Sequence, residues 1–291
     1  RINQWKIAPA KVASSAAKVI SRMGSHFGYV STTGAAWMCG HGGSGQLGVG
    51  SAVTKQKTFV QIASTGVDSL AAGSLHTAML LTDGTLKTFG DNEHYQLGDG
   101  TNVDKLSPAT VMSNVSKVAC ANSCTAIVKT DGSLWVAGWL GYDSPRWQAW
   151  TQIVASGVVD VSCGAWFVAF TKTDGSLWVF GSNPYATDAK TSIFGSATNG
   201  HSYTPIEVAT EGVAAVEGQG GSVAYLTTGG DLCALGSSAF KSQPFYKDPQ
   251  EVVTGMATQP DGKRIITGNF SSVNGVNRSN LARFTPQWVV D

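Results

Sequence analysis

The stretch TDGSLWVFG at 173–181 places a tight-turn glycine, Gly175, six residues ahead of a second glycine, Gly181, with a short apolar run between them. Five other stretches repeat the arrangement: TTGAAWMCG (32–40), TDGTLKTFG (82–90), TDGSLWVAG (130–138), TGGDLCALG (228–236) and PDGKRIITG (260–268). Their turn glycines, Gly34, Gly84, Gly132, Gly175, Gly230 and Gly262, are separated by 50, 48, 43, 55 and 32 residues. Short strands and Gly-rich turns repeated at this length are the signature of a β-propeller or a related array. Asp-Gly and Gly-Gly supply the positive φ angles that a two-residue hairpin needs, so each copy predicts a hairpin.

Working outward, the residues on both sides of each turn read as strands. Leu177–Phe180 follows the turn and Val168–Thr171 precedes it, both short, aromatic and β-branched. A third run lies upstream and ends in small residues, as in Ser69–Gly73, Lys117–Ala121 and Asp160–Gly164. A fourth, looser segment closes each unit: Thr58–Ile62, Ser107–Val111, Trp150–Val154 and Thr204–Val208. Four strands in about fifty residues make one propeller blade. The third run, with its small residues, is expected to be the innermost strand, where strands converge. No window holds a helical period except the Ala-rich stretch Ala8–Ile20, read as a lead-in and strand. The fold class expected is an all-β propeller of four-stranded blades, six by count within a range of five to seven. Residues 1–17 are a lead-in strand that completes another blade, 18–254 form five blades, and 255–291 supply a sixth.

Length and composition fit one large propeller. The 291 residues carry a net charge of +1, and only 13% are charged, against a usual proportion of about a quarter. A sequence-independent nucleic-acid binder would show a clustered basic stripe, and none is present, so no nucleic-acid partner is expected. No apolar run reaches membrane-spanning length, so no membrane insertion is expected. High Ser, Thr, Gly and Asn with few charges suits an extracellular or virion surface. The five cysteines, Cys39, Cys120, Cys124, Cys163 and Cys233, are odd in number and spread over four of the repeats. That pattern predicts buried free thiols rather than a disulfide framework.

Residues 67–102 resemble the regulator of chromosome condensation repeat, through His76, Thr82–Gly84, Gly90, Asn92 and Gln96–Gly100. That closure recurs, as GQLG, at Gly45–Gly48. The resemblance covers about residues 18–254 as five units and weakens from the third unit on. There GQLG is gone, and Cys124, Phe167 and Ser222 hold the family's His position. Residues 256–284 are similar to the bacterial delta-sixty repeat, a short blade element, which implies a bacterial or phage origin. The resemblance implies a propeller in which His76 packs and hydrogen-bonds within its blade.

Catalytic patterns are absent from the sequence. Gly40–Gly45 is Gly-rich but lacks the Lys-Ser/Thr and the helix of a phosphate loop. No nucleophile elbow occurs. Asp91, Asn92, Asp99 and Asn102 are rich in oxygen, yet their spacing is not that of a calcium loop. No catalytic residue, metal site or cofactor is therefore expected, and the chain is expected to bind rather than catalyse. The candidate ligand-binding residues are Trp139, Tyr142, Arg146, Trp147 and Trp150, which crowd a segment that is polar in the other repeats. Aromatic faces stack on sugars and fill protein hot spots, and Arg146 adds a planar donor fork. The competing reading has Trp150 and one other aromatic plugging a seam between blades. The inserts 182–203 and 237–248 are second candidates, because loops at the ring faces carry function. The function expected is recognition or adhesion on a virion, as a phage tail or fibre, or on a cell surface. The partner would be a host-surface glycan or protein, or a neighbouring virion protein. The alternatives are a secreted enzyme inhibitor and the family's nucleotide-exchange and chromatin-binding role.

Overall fold

Every regular element among the described residues is a β-strand. The computed structural model of the chain describes residues 16–20, 26–141, 143–182, 192–194, 201–229, 232–236, 252–258, 264–269, 272–273, 276–277 and 281–284. Four consecutive sheets have four antiparallel strands each, in simple sequence order. The first holds β1 (Ala16–Ile20), β2 (His26–Ser31), β3 (Ala36–Gly42) and β4 (Val53–Ala63). The second holds β5 (Val67–Ala72), β6 (His76–Leu81), β7 (Leu86–Gly90) and β8 (Lys105–Met112). The third holds β9 (Val115–Cys120), β10 (Ser123–Lys129), β11 (Leu134–Trp139) and β12 (Arg146–Val154). The fourth holds β13 (Val158–Cys163), β14 (Phe167–Lys172), β15 (Leu177–Ser182) and β16 (His201–Ala209). A fifth sheet follows with β17 (Val213–Gln219), β18 (Ser222–Thr227) and β19 (Leu232–Gly236). In the C-terminal part β20 (Val252–Thr258) and β21 (Arg264–Asn269) pair, and a small hairpin of β22 (Ser272–Val273) and β23 (Val276–Asn277) precedes β24 (Leu281–Phe284), which pairs with β21.

The turns differ from the two-residue hairpin expected. In the second sheet Leu81 N–H donates to the Thr85 carbonyl and Gly84 N–H to the Leu81 carbonyl, which closes a three-residue loop. The same pair of bonds recurs at Ser31–Ala35, Lys129–Ser133 and Lys172–Ser176. Only the glycine of each loop has positive φ, from 77° to 81° at Gly34, Gly84, Gly132 and Gly175. This is a turn closed by a left-handed glycine bulge, the usual form when a hairpin loop has three residues. The aspartate before it stays at negative φ and accepts from the backbone two residues on, at 2.8 Å for Asp83 and 2.9 Å for Asp131 and Asp174.

The core lies between sheets. One cluster joins Val30, Met38 and Leu47 of the first unit to Leu70, Met79 and Phe89 of the second. The next joins Ala78, Leu80 and Leu86 to Cys120 and Ile127. The third joins Val136 and Leu140 to Phe170 and Phe180, and the fourth joins Phe167 and Val179 to Val216 and Val223. Successive residues Met79 and Leu80 point to opposite faces of β6 and reach different neighbours, as strand alternation requires. Each fully buried side chain of this size contributes about 1.5–3 kcal/mol.

The small-residue strands sit where expected. β5, β9, β13 and β17 are the first strands of their sheets and lie against one another from unit to unit, and Cys120 and Cys163 are buried there. In place of Cys163 the next strand has Gly218, whose Cβ would fall 2.7 Å from the Cys163 backbone. None of the five cysteines forms a disulfide, and burial pushes the Cys124 thiol well above its ordinary range.

Candidate functional site

Of the five aromatic and arginine candidates, the structure separates those that pack from those that reach solvent. Residues 146–150 are not loop but the start of β12, so the connection shrinks to Leu140–Pro145. Trp147 faces Gly138 across the ladder, is 8% exposed, and joins the core between the third and fourth units. It is corrected from a surface aromatic to a packing residue, because strand alternation turns it inward. Trp150 packs on the core between the second and third units, over Gly98, where a Cβ would sit 2.5 Å from the indole. Trp150 is thus a seam plug. Tyr142 lies outside the described residues.

Trp139 and Arg146 remain, directly opposite each other in the β11–β12 register. That pairing places the exposed Arg146 guanidinium over the Trp139 ring, 5.5 Å from its centroid. Two residues that sequence reasoning did not single out complete the group. The His94 ring, from the β7–β8 connection, lies 4.8 Å from Trp139, and Trp166, from the β13–β14 turn, lies 5.8 Å away edge-on. Trp166 rests against Gly141, where any side chain would collide with the indole. Three units thus contribute to one cluster, and Trp139, Trp166 and His94 are each half-buried. Their signal in the sequence was weak, since His94 and Trp166 stand alone among unremarkable turn residues.

The second polar constellation is internal. His26 Nε2 lies 3.0 Å from Thr77 Oγ1, which donates to the Gln46 carbonyl at 2.8 Å. One unit later His76 Nε2 lies 3.0 Å from Thr125 Oγ1, which donates to the Gln96 carbonyl at 2.6 Å. Each threonine gives its one proton to the carbonyl, so the histidine must donate from Nε2. The expected bond within the blade is in fact a bond between blades. Burial pushes His26 down to about 4 and His76 down to about 3, so both rings are neutral at physiological pH.

Glycine and ring are matched in these units. A Cβ on Gly73 would strike the His76 ring, and one on Gly164 the Phe167 ring. Where the slot holds the small Cys124, the residue three positions earlier is Ala121 instead.

The oxygen-rich turn after β7 satisfies itself. Asn92 Nδ2 donates to Asp99 Oδ1 at 3.0 Å and to the Thr101 carbonyl at 2.8 Å, while its Oδ1 accepts from Leu97 N–H at 3.0 Å. Asp99 also pairs with Lys105 at 3.0 Å, and Asp91 accepts from Gln96 Nε2. Asparagine and aspartate here fasten the GQLG-type turn. Of the inserts, Ile193 and Phe194 are buried in the core between the fourth and fifth units; residues 183–191, 195–200 and 237–248 lie outside the described residues.

Residues 83–128 match the Regulator of chromosome condensation (RCC1) repeat. A second form of that repeat matches residues 67–96 and 158–186, and residues 259–291 match a beta-propeller domain of unknown function, DUF5122. Over 120 residues the chain is 35% identical to the Protein RCC2 homolog of Danio rerio, covering 39% of this chain and 24% of that protein. Over 125 residues it is 33% identical to the Ultraviolet-B receptor UVR8 of Arabidopsis thaliana, covering 40% and 28%. The matched stretch therefore spans about a quarter of the length of these relatives. Human WBSCR16 superposes with a TM-score of 0.64 at 20% identity, over 73% of this chain and 57% of that one. Prp20p of Saccharomyces cerevisiae, in a structure described with its binding properties to Gsp1p and histones, gives 0.62 at 14% identity, over 75% and 57%. The architecture is that of an RCC1-type propeller.

Proposed function

We propose that this chain is a non-catalytic recognition propeller whose partner is a protein. The observation that carries the reading is the meeting of Trp139, Trp166, His94 and Arg146 from three units, half-buried rings under an exposed guanidinium. Hot spots in protein interfaces are built from such aromatic and arginine side chains. Similarity to Prp20p, whose description names Gsp1p and histones, supports a small GTPase or histone-containing partner over the glycan or virion partner that composition suggested. Low charge and the aromatic patch favour a second reading, an adhesin on a virion or cell surface. The five RCC1-type units with the C-terminal sheet are read as six blades.

The test presents the immobilised chain with a small GTPase of the Gsp1p class, with histone octamers and with a glycan array. Binding of either protein at micromolar concentration or below supports the proposal. Binding to glycans alone would replace it with the adhesin reading.

A further inference from the structure

We propose that the aromatic outer face of the first sheet is the docking surface for the C-terminal sheet, through a seam with reversed side-chain sizes: Phe27 enters from the first sheet and meets Thr254. This inference rests on the six-blade reading above and names the surfaces that meet. Among the described residues, the strands packed broadly on the first sheet are those of the second unit. That contact uses His26, Val30 and Met38. Strand alternation turns Phe27, Tyr29, Trp37 and Cys39 to the other face, where Phe27 lies opposite Cys39 and Tyr29 opposite Trp37. Tyr29 is stacked with Trp37 at 6.2 Å and lies edge-on to Phe59 at 5.0 Å. These five side chains are only half-buried. Their counterparts Met79 and Phe89, and then Phe170 and Phe180, are fully buried against the preceding unit. The outer face of the first sheet is thus built as one half of a seam, and a blade sheet is what fits it.

The sheet β20–β21–β24 stands outside the five stacked units and, like any sheet, must bury an apolar face against another layer. Its tether to the same chain gives it an effective concentration on the order of millimolar, above that of a second copy in solution.

Register identifies the pair that meets. In the units whose seams are described, the residue eight positions before the turn glycine enters the next seam, and the residue after it receives the one from the unit before. His26 meets Thr77 and His76 meets Thr125, while Cys124 with Val168 and Phe167 with Val223 share apolar clusters. Counting back from Gly262 puts Thr254 in the entering position, and in the ladder Gly268 faces Val253 with Thr254 as the extra residue of a bulge. The receiving position of the first unit holds Phe27, where the other units have threonine, valine or glycine. A large residue is therefore offered to a small one from the opposite side, which fills the seam as Phe167 against Val223 does, with the roles exchanged.

The experiment uses the full chain and reads thermal melting together with maleimide labelling of Cys39, located by mass spectrometry. F27T and T254H should each lower the melting temperature by several degrees, the first by leaving a void and the second by crowding Phe27. Combining F27T with T254H rebuilds the His–Thr pair of the first two seams and should recover a large part of the summed loss. Cys39 should be labelled about tenfold more slowly in the parent than in T254W, whose indole cannot share the seam with Phe27. Additive losses in the double variant, or a Cys39 as protected in T254W as in the parent, would overturn this pairing; with Cys39 still protected in the parent, the six-blade reading stands. Labelling of the parent at the rate of the denatured chain would show an open face, and both would fall. Protection that grows with protein concentration would assign the face to a second copy and overturn the proposal.

Discussion

His76 Nε2 lies 3.0 Å from Thr125 Oγ1, a residue 49 positions later on the neighbouring unit. The pair His26–Thr77 makes the same contact one seam earlier. In the two seams that follow, the corresponding residues are Cys124 with Val168 and Phe167 with Val223, all buried in apolar clusters. Polar and apolar partners change together across a seam, because a lone buried donor or acceptor costs about 1–3 kcal/mol.

Thr125→Val leaves both the His76 Nε2 proton and the Gln96 carbonyl without a partner, and should destabilise the protein by roughly 1–3 kcal/mol. Adding His76→Phe, which reproduces the Phe167–Val223 seam, should recover part of that loss. Denaturant unfolding of the parent, both single variants and the double variant gives the coupling. Additive effects would show that the two side chains do not share an interaction.

Acid should weaken the same seams. The folded-state values of His26 and His76 lie below the ordinary value of 6.5, so the unfolded chain binds protons first as pH falls. Their contribution is complete above pH 6.5 and is lost progressively down to pH 4 for His26 and pH 3 for His76. The slope is on the order of 1 kcal/mol per pH unit for each histidine. The variant His76→Phe with Thr125→Val should show a shallower decline between pH 6 and 4 than the parent, read from melting temperatures.

Turn glycines carry two separate demands, and substitution can divide them. Gly132 has φ of 77°, and a Cβ there would lie 2.9 Å from Gly157 N; Gly175 repeats this with φ of 80° and Gly212 N. Gly100 has φ of 76° with nothing within 4 Å. Gly100→Ala should cost only backbone strain, about 1 kcal/mol, whereas Gly132→Val or Gly175→Val should cost up to about 3 kcal/mol. Equal losses at the crowded and the open glycines would show that the close approach is unimportant.

The two tryptophans of β11 and β12 should behave oppositely. Trp147→Ala empties a core site and should cost roughly 3–5 kcal/mol. Trp139→Ala removes half-exposed ring contacts and should cost about 0.5–1.5 kcal/mol. Thermal melts of both variants check the order, and a larger loss at Trp139 would contradict the burial seen here.

Repeat length, the order of strands and the small-residue inner strands were all legible, because glycine at positive φ and alternation along a strand leave marks on the chain. Turn length was misjudged by one residue, since Asp-Gly is compatible with both hairpin forms. Trp147 was misplaced because a cluster of aromatics says nothing about which face of a strand each one occupies. His94 and Trp166 escaped notice because they meet Trp139 only after three units stack. The fading of GQLG concealed a conserved shape: Leu47, Leu97, Leu140 and Ile193 are all buried, although only the first two sit in that motif.

One tie between units recurs at the hairpin tips and is made by backbone atoms. Val67, Val115, Val158 and Val213 N–H groups donate to the carbonyls of Gly34, Gly84, Gly132 and Gly175, each at 2.9–3.0 Å. Such a joint is indifferent to which side chains flank it, provided that the glycine is kept. A copied unit inserted beside its parent would find the same joint open on both sides. Gene duplication can therefore lengthen or shorten an array of this kind without inventing a new interface, while the side chains filling each seam diverge afterwards.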